Sequence, residues 1–205
     1  GTVINDEPIV ISASQTGSQA WEPHNYDGRY EGPMKMRTAL AKSKNMVSIR
    51  ILQSIGTRYA QDFATRFGFD AARHPPYLTM ALGAGSVTPW QMVTAYSVFA
   101  NGGYRISPYV VNEIRNEKNQ LLAQAAPVPA GEGTLHAIDP RNAFIMDSML
   151  RDVTIYGTGA KASVALKRQD LAGKTGTTNE YVDAWFCGYQ MTVAGCAWVG
   201  FDQPR

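Results

Sequence analysis

Lys174, Thr175, Gly176, Thr177 and Thr178 stand in one unbroken run, well over a hundred positions after Ser43, Lys44 and Asn45. Together these residue types suit acyl transfer at a serine. An ammonium beside a strand of threonines supplies positive charge and hydroxyl donors to a carboxylate, and a glycine without a Cβ lets the backbone approach a bound peptide closely. A serine and an asparagine one residue apart add a proton relay and a holder for an amide. One part of such a site is not found. A nucleophilic serine with a lysine three residues on would complete it, yet the third residue after every serine, from Ser12 through Ser18 to Ser163, is something other than lysine.

Two competing readings fail on context. Gly173-Lys174-Thr175 also ends a phosphate-binding loop, but that loop needs a glycine where Arg168 stands and a helix after the threonine, where Gly176-Thr177-Thr178-Asn179 starts one poorly. Gly83-Ala84-Gly85 lacks the third glycine of a dinucleotide fingerprint and reads as turn glycines. Ser43-Lys44-Asn45 alone would pass for ordinary capping between two helices. Its weight comes from the rest of the chain.

The elements that must position these residues change character along the chain. Residues 1 to 33 carry Asn5, Asp6, Pro8, Gly17, Pro23, Asn25, Asp27, Gly28, Gly32 and Pro33, and read as a long irregular opening segment with one β-like run at Pro8 to Ile11. Met34 to Ala41 reads as a short helix that Ser43-Lys44-Asn45 interrupts. Met46 to Ile55 is ambiguous between strand and helix; Val47, Ile51 and Ile55 at four-residue spacing with Gly56 as a stop favour helix. Thr57 to Phe67 is an amphipathic helix ended by Gly68, with Tyr59, Phe63 and Phe67 on one face. Thr88-Pro89-Trp90-Gln91 is a capping box with proline at the first helical position, opening a helix to Ala100 whose apolar residues on nearly every side predict burial. Tyr109 to Ile114 and Gln120 to Leu122 read as a hairpin, Asp139-Pro140 starts a helix to about Asp152, and Gly157-Thr158-Gly159 starts another to Leu166. Asp170 to Thr175, Ala184 to Tyr189 and Val193 to Phe201 are three strands of period two. A helical half followed by a consecutive antiparallel sheet is an α+β pattern.

Composition narrows the function classes. With 205 residues and 44% hydrophobic content the chain can bury a sizeable core, and 18% charged residues with a net charge of +2 suggest neither disorder nor a nucleic-acid footprint. No apolar run approaches membrane-spanning length. His24, His74 and His136 are scattered without ligand spacing, so no metal site is expected and no cofactor is called for. Cys187 and Cys196 fall opposite each other in a hairpin closed by Met191-Thr192. Two buried free thiols are favoured there over a cross-strand disulfide, whose geometry is demanding.

Further stretches accompany the two motifs: Asn5 to Ile9, Trp21 to Tyr26, Arg37 to Asn45, Gly85 to Met92, Phe99 to Gly103, Gly157 to Gly159, Leu171 to Asn179, Asp183 to Phe186 and Trp198 to Asp202. In these the chain resembles the transpeptidase domain of class A, bifunctional penicillin-binding proteins along nearly its whole length. The resemblance implies a penicillin-binding/β-lactamase-like transpeptidase fold. It also implies a D,D-transpeptidase that binds the D-Ala-D-Ala end of a peptidoglycan stem peptide, acylates a serine, and passes the acyl group to an amine, with β-lactams as imitators of the substrate. Carried onto matching positions, Ser43 would take part in proton transfer and Asn45 would hold the donor's amide. Lys174 would ease proton movement and attract the carboxylate, Thr175, Gly176, Thr177 and Thr178 would line the substrate strand, and the Thr177 N–H would form half of an oxyanion hole. The implied location is the periplasmic, extracytoplasmic side of the inner membrane, reached through segments outside these residues.

In that family the Ser-x-x-Lys segment lies before Asn5-Asp6. Residues 1 to 205 are therefore expected to form a partial transpeptidase domain, incomplete at both ends, with a hairpin excursion near residues 105 to 125, and to be inactive alone. The alternatives are a non-catalytic module binding peptidoglycan or a partner, and, ranked lower, a serine β-lactamase.

Overall fold

The computed structural model describes residues 1–16, 19–131, 133–178 and 182–202; Gly17, Ser18 and Asn179, named above, lie outside the described residues. In chain order the elements are β1 (Val3–Asp6), α1 (Ala13–Thr16), β2 (Gly32–Lys35), α2 (Met36–Lys42), α3 (Asn45–Ile55), α4 (Thr57–Thr65) and α5 (Pro89–Ala100), with two 3-10 turns at Ala71–Arg73 and Leu78–Leu82 between the last two. There follow β3 (Tyr104–Arg105), β4 (Glu113–Arg115), β5 (Leu121–Gln124), β6 (Leu135–His136), α6 (Pro140–Ile155), α7 (Ala160–Leu166), β7 (Ala172–Thr177), β8 (Ala184–Gln190) and β9 (Val193–Val199). The antiparallel sheet runs β7-β8-β9. The α+β reading holds.

Several boundaries follow from local chemistry. In α5, Gln91 N–H donates to the Thr88 hydroxyl while the Gln91 side chain accepts from Thr88 N–H, the reciprocal pair foreseen from the motif. Asp139 caps α6 through Arg141 N–H at 2.8 Å, with Pro140 behind it. Tyr59, Phe63 and Phe67 do line one side of α4 and its C-terminal turn, with ring centroids 5.8 and 6.1 Å apart, the first pair stacked and the second tilted.

Elsewhere the structure corrects the sequence reading. The opening segment is not wholly irregular: β1 pairs antiparallel with β2, Asp6 opposite Gly32, so the helix expected from Met34 starts two residues later at Met36. The β-like run at Pro8 to Ile11 reduces to one bridge, Ile11 with Trp21. Helix α5 is less enclosed than its composition implied, because only Ala95 and Val98 are buried and Trp90 is 47% exposed. The expected hairpin is shorter, β4 with β5, and the pairing of β3 with β6 was not anticipated.

The cysteines are the clearest correction. Cys187 and Cys196 form a disulfide, with Cα atoms 4.1 Å apart. The register explains it: a two-residue turn makes Gln190 and Val193 the first facing pair, and hydrogen-bonded and non-hydrogen-bonded pairs then alternate. Cys187 and Cys196 fall in a closely spaced, non-hydrogen-bonded pair, where side chains on one face nearly touch.

Helix α6 is the spine that fixes the sheet to the helical half. Its Leu150 packs with Ala172 of β7 and Tyr189 of β8, against Tyr96 and Phe99 of α5. On another side Arg37 of α2 donates to the Ser148 carbonyl at 2.8 Å and to Asp152 at 2.9 Å. Past its C-terminus the chain meets α2 without room for a side chain: a Cβ on Gly157 would sit 2.2 Å from the Ala41 carbonyl oxygen and 2.9 Å from Val153 Cα. Both obstacles are backbone. Gly157→Ala is therefore expected to cost about 3 kcal/mol of stability, the upper part of the overpacking range, read as a lowered urea midpoint at unchanged slope.

Candidate active site

Between α2 and α3 the chain makes one sharp bend, and Ser43 is the bend. Its backbone is left-handed (φ 56°, ψ 49°), a conformation that costs a residue with a Cβ roughly 1–2 kcal/mol. The neighbouring residue holds it there. Lys44 is 1% exposed, and its ammonium lies 3.0 Å from Asp27 Oδ2, 3.1 Å from Glu31 Oε1, 3.1 Å from the Arg29 carbonyl and 3.4 Å from Asp6 Oδ2. Asp6, wholly buried, also accepts from Asn25 Nδ2 at 2.7 Å and from Glu31 N–H at 3.0 Å. Asn25 then turns its oxygen to the start of α3, accepting from Asn45 N–H at 2.9 Å and Met46 N–H at 3.3 Å. A side chain twenty residues upstream thus serves as the cap that α3 lacks locally.

That network is the part the sequence reading missed. Asp6 and Asn25 stood in the quoted stretches with no role, and Lys44 was only the residue between Ser43 and Asn45. Nothing in periodicity marks a lysine for burial.

The ionisation of the network follows from its contacts. Burial pulls the Lys44 ammonium down, but hydrogen bonds to Asp27 and Glu31 outweigh it and raise the group above its ordinary value. Burial pushes Asp27 up, while the Arg29 backbone and Lys44 more than reverse it, and Lys42 and Lys44 hold Glu31 down. By linkage, the lysine's contribution is full below its ordinary value and fades as pH rises through its raised one. The carboxylates' contribution is full above their ordinary values and fades as pH falls through the lowered ones.

Ser43 projects into a cleft of about 1680 Å³ also lined by Asn45, Thr158, Thr175, Thr177 and Thr178. Asn45 keeps its side chain in place by donating Nδ2 to the His24 carbonyl at 2.7 Å. Lys174 and Gly176 face a second hollow of about 810 Å³ with Trp185, Cys187 and Ser86. Strand β7 is the wall between the two. Across it the Lys174 ammonium reaches Ser43 Oγ at 2.8 Å, joining residues 131 positions apart, and donates also to the Thr175 carbonyl at 2.8 Å. Burial without a carboxylate partner pushes the Lys174 ammonium down to about 8. A Cβ at Gly176 would meet nothing nearer than Trp185 Cβ at 3.5 Å, so the protein itself leaves room on that side of the strand. Thr178 and Asp183 close the end of the strand, Asp183 N–H donating to the Thr178 hydroxyl at 2.7 Å.

All seven residues singled out from the sequence therefore border one of two hollows that share β7 as a wall. Lys174 meets Ser43, and Ser43 and Asn45 share the larger cleft with Thr175, Thr177 and Thr178. No group of three or more His, Cys, Asp or Glu side chains arranged to hold a metal occurs among the described residues. A lysine half neutral near pH 8, hydrogen-bonded to a serine hydroxyl at the mouth of a cleft, can pass a proton to or from that hydroxyl and offer positive charge to an anion.

Comparison with known proteins gives the family and the fold. The model of the penicillin binding protein transpeptidase domain matches residues 1–200. Penicillin-binding protein 1A of Neisseria flavescens is 50% identical over 204 residues, covering 100% of this chain and 25% of that protein. The Pseudomonas aeruginosa penicillin-binding protein 1A is 41% identical over 249 residues, with 30% of its length covered. The chain thus spans about a quarter to a third of these relatives. Among solved structures, penicillin-binding protein 1A from Haemophilus influenzae superposes with a TM-score of 0.89 at 33% identity, over 98% of this chain and 35% of that one. Penicillin-binding protein A from M. tuberculosis, solved as an imipenem acyl-enzyme complex, shares the fold with a TM-score of 0.79 at 19% identity, over 97% of this chain and 50% of that one.

Two outcomes follow from the electrostatics. Lys44→Ala strands the buried Asp6 carboxylate and should destabilise the chain by about 3–5 kcal/mol in urea denaturation. The Lys174 side chain, followed by NMR of labelled lysine, should titrate near 8; because folding depresses it, stability should rise with pH between about 8 and its ordinary 10.5.

Proposed function

The chain belongs to the penicillin-binding protein transpeptidase family, and from that premise we propose that it carries two of the three motifs of a serine D,D-transpeptidase. The observation that carries the proposal is the 2.8 Å contact between Lys174 and Ser43 at the mouth of the cleft.

In this reading a peptidoglycan stem peptide lies along β7 with its D-Ala-D-Ala end at the Ser43 bend. Asn45, immobilised on the His24 carbonyl, holds the donor's side-chain amide. The terminal carboxylate meets Lys174 and the hydroxyls of Thr175 and Thr177, and Thr178 with Gly176 completes the strand against which the peptide extends. When a nucleophilic serine attacks, its proton passes toward Ser43 and Lys174, and the carbonyl oxygen gains negative charge. A backbone donor at Thr177 fixed where that charge develops would be worth about 3–4 kcal/mol. Release of D-alanine leaves an acyl-enzyme that an amine from a neighbouring strand resolves. A β-lactam presents the same carboxylate and a strained amide, and stays attached.

The nucleophile of this scheme, a Ser-x-x-Lys serine, is not among the 205 residues. The cross-strand disulfide supports an oxidising compartment, which fits action on the extracytoplasmic side of the bacterial membrane.

Fluorescent penicillin followed by denaturing electrophoresis tests the assignment. The 205-residue chain should give no covalent band, whereas the full-length gene product should label, and Lys174→Ala in it should slow labelling by about 100-fold or more. A band at the mass of the short chain would remove the upstream nucleophile from the scheme. An unlabelled full-length protein would favour a non-catalytic peptidoglycan-binding module, and steady hydrolysis of a chromogenic cephalosporin would favour a β-lactamase.

A further inference from the structure

Gly157-Thr158-Gly159 stood out in the sequence, and none of the chemistry above uses it. Its middle residue touches both halves of the site. The Thr158 N–H donates to the Ala41 carbonyl at 3.0 Å, two residues before Ser43. Its hydroxyl lies 2.6 Å from the hydroxyl of Thr175, the residue after Lys174.

The loop is seated firmly. Gly157 has no space for a Cβ against Ala41, and the Gly159 N–H donates to the Val153 carbonyl at 3.0 Å at the end of α6. Thr158 itself remains exposed, its side chain on the wall of the larger cleft. A rigid backbone thus presents one hydroxyl to another at the place where the proposed carboxylate would bind.

Two hydroxyls in contact share one hydrogen: one donates to the other, and a single hydrogen is left to point elsewhere. Without a partner, the Thr175 side chain would choose among staggered rotamers and lose a fixed direction. Resting on the acyl-transfer reading, we propose that Thr158 is a positioning residue for the carboxylate subsite, holding the Thr175 hydroxyl so that the pair offers its one free hydrogen to the ligand's carboxylate. The contribution belongs to ligand capture. Bond formation depends on Ser43 and Lys174, whose contact Thr158 does not make.

The test uses the full-length gene product and stopped-time acylation by a fluorescent penicillin, separating the dissociation constant of the initial complex from the acylation rate constant. Wild type, Thr158→Val and Thr158→Ser are each compared on the penicillin and on its carboxyl methyl ester. Thr158→Val should weaken the initial complex about 3- to 10-fold, as expected for one lost hydrogen bond, with the rate constant at saturation unchanged to within about twofold. Thr158→Ser should restore capture, and on the ester wild type and Thr158→Val should behave alike. Equal capture of the free acid by wild type and Thr158→Val overturns the role of Thr158, as does an equal loss on acid and ester or a loss confined to the rate constant. Wild type that never labels fails in a different way, taking the acyl-transfer reading with it. Thermal melting checks the fold; if Thr158→Val unfolds, Thr158→Ala replaces it, and unfolding of both assigns Thr158 to the scaffold and overturns the proposal.

Discussion

A lysine with almost no exposed surface must be neutralised where it lies, and that requirement organises the helical side of the cleft. The Lys44 ammonium draws Asp6 from β1, Asp27 and Glu31 from the segment before β2, and the Arg29 carbonyl onto one point. Asp6 and the turn at Asn25 are drawn together, and Asn25 then caps α3. Because Lys44 follows Ser43 directly, burying the one side chain bends the backbone at the other. The left-handed turn that aims Ser43 at Lys174 is thus maintained by ion pairs that touch neither of these two side chains. Such an arrangement is costly to break at its buried centre, since removing Lys44 leaves the Asp6 carboxylate buried without its cation.

The two motifs reach each other through α6. Ser43 belongs to a bend tied to the opening segment, and Lys174 belongs to a sheet; they share no local contact until α6 packs on both α2 and β7. Arg37 crosses from α2 to Ser148 and Asp152, and Leu150 faces Ala172. A 2.8 Å contact between residues 131 positions apart is the outcome of that packing. The same helix carries the loop that places Thr158 beside Thr175.

What could be read in advance divides along physical lines. Helix starts at Thr88 and Asp139 and the three strands from Ala172 onward were legible, because capping chemistry and period-two alternation act over a few residues. Lys174 and Ser43 could be singled out by residue type, and the structure places their side chains 2.8 Å apart. The Lys44 cluster was not legible, since burial of a charged side chain depends on partners 13 to 38 positions upstream whose approach only the fold decides. Strand β1 was hidden for a related reason: Val3–Asp6 is four residues long and finds its partner across a long excursion. The disulfide was misjudged by a prior on residue type, although the hairpin register already implied facing cysteines in a narrow pair.

That covalent link has a mechanical meaning for the strand that bears Lys174. Strand β9 pairs on one side only among the described residues, and an outer strand ordinarily unzips first. The Cys187–Cys196 bond rivets it to β8 halfway along, directly beside Lys174 in the register. Peeling that begins at its open end, near Val199, is arrested at the rivet. The wall between the two hollows therefore borders a two-strand plate that moves as one piece, and thermal loosening at the rim is kept from reaching the ammonium.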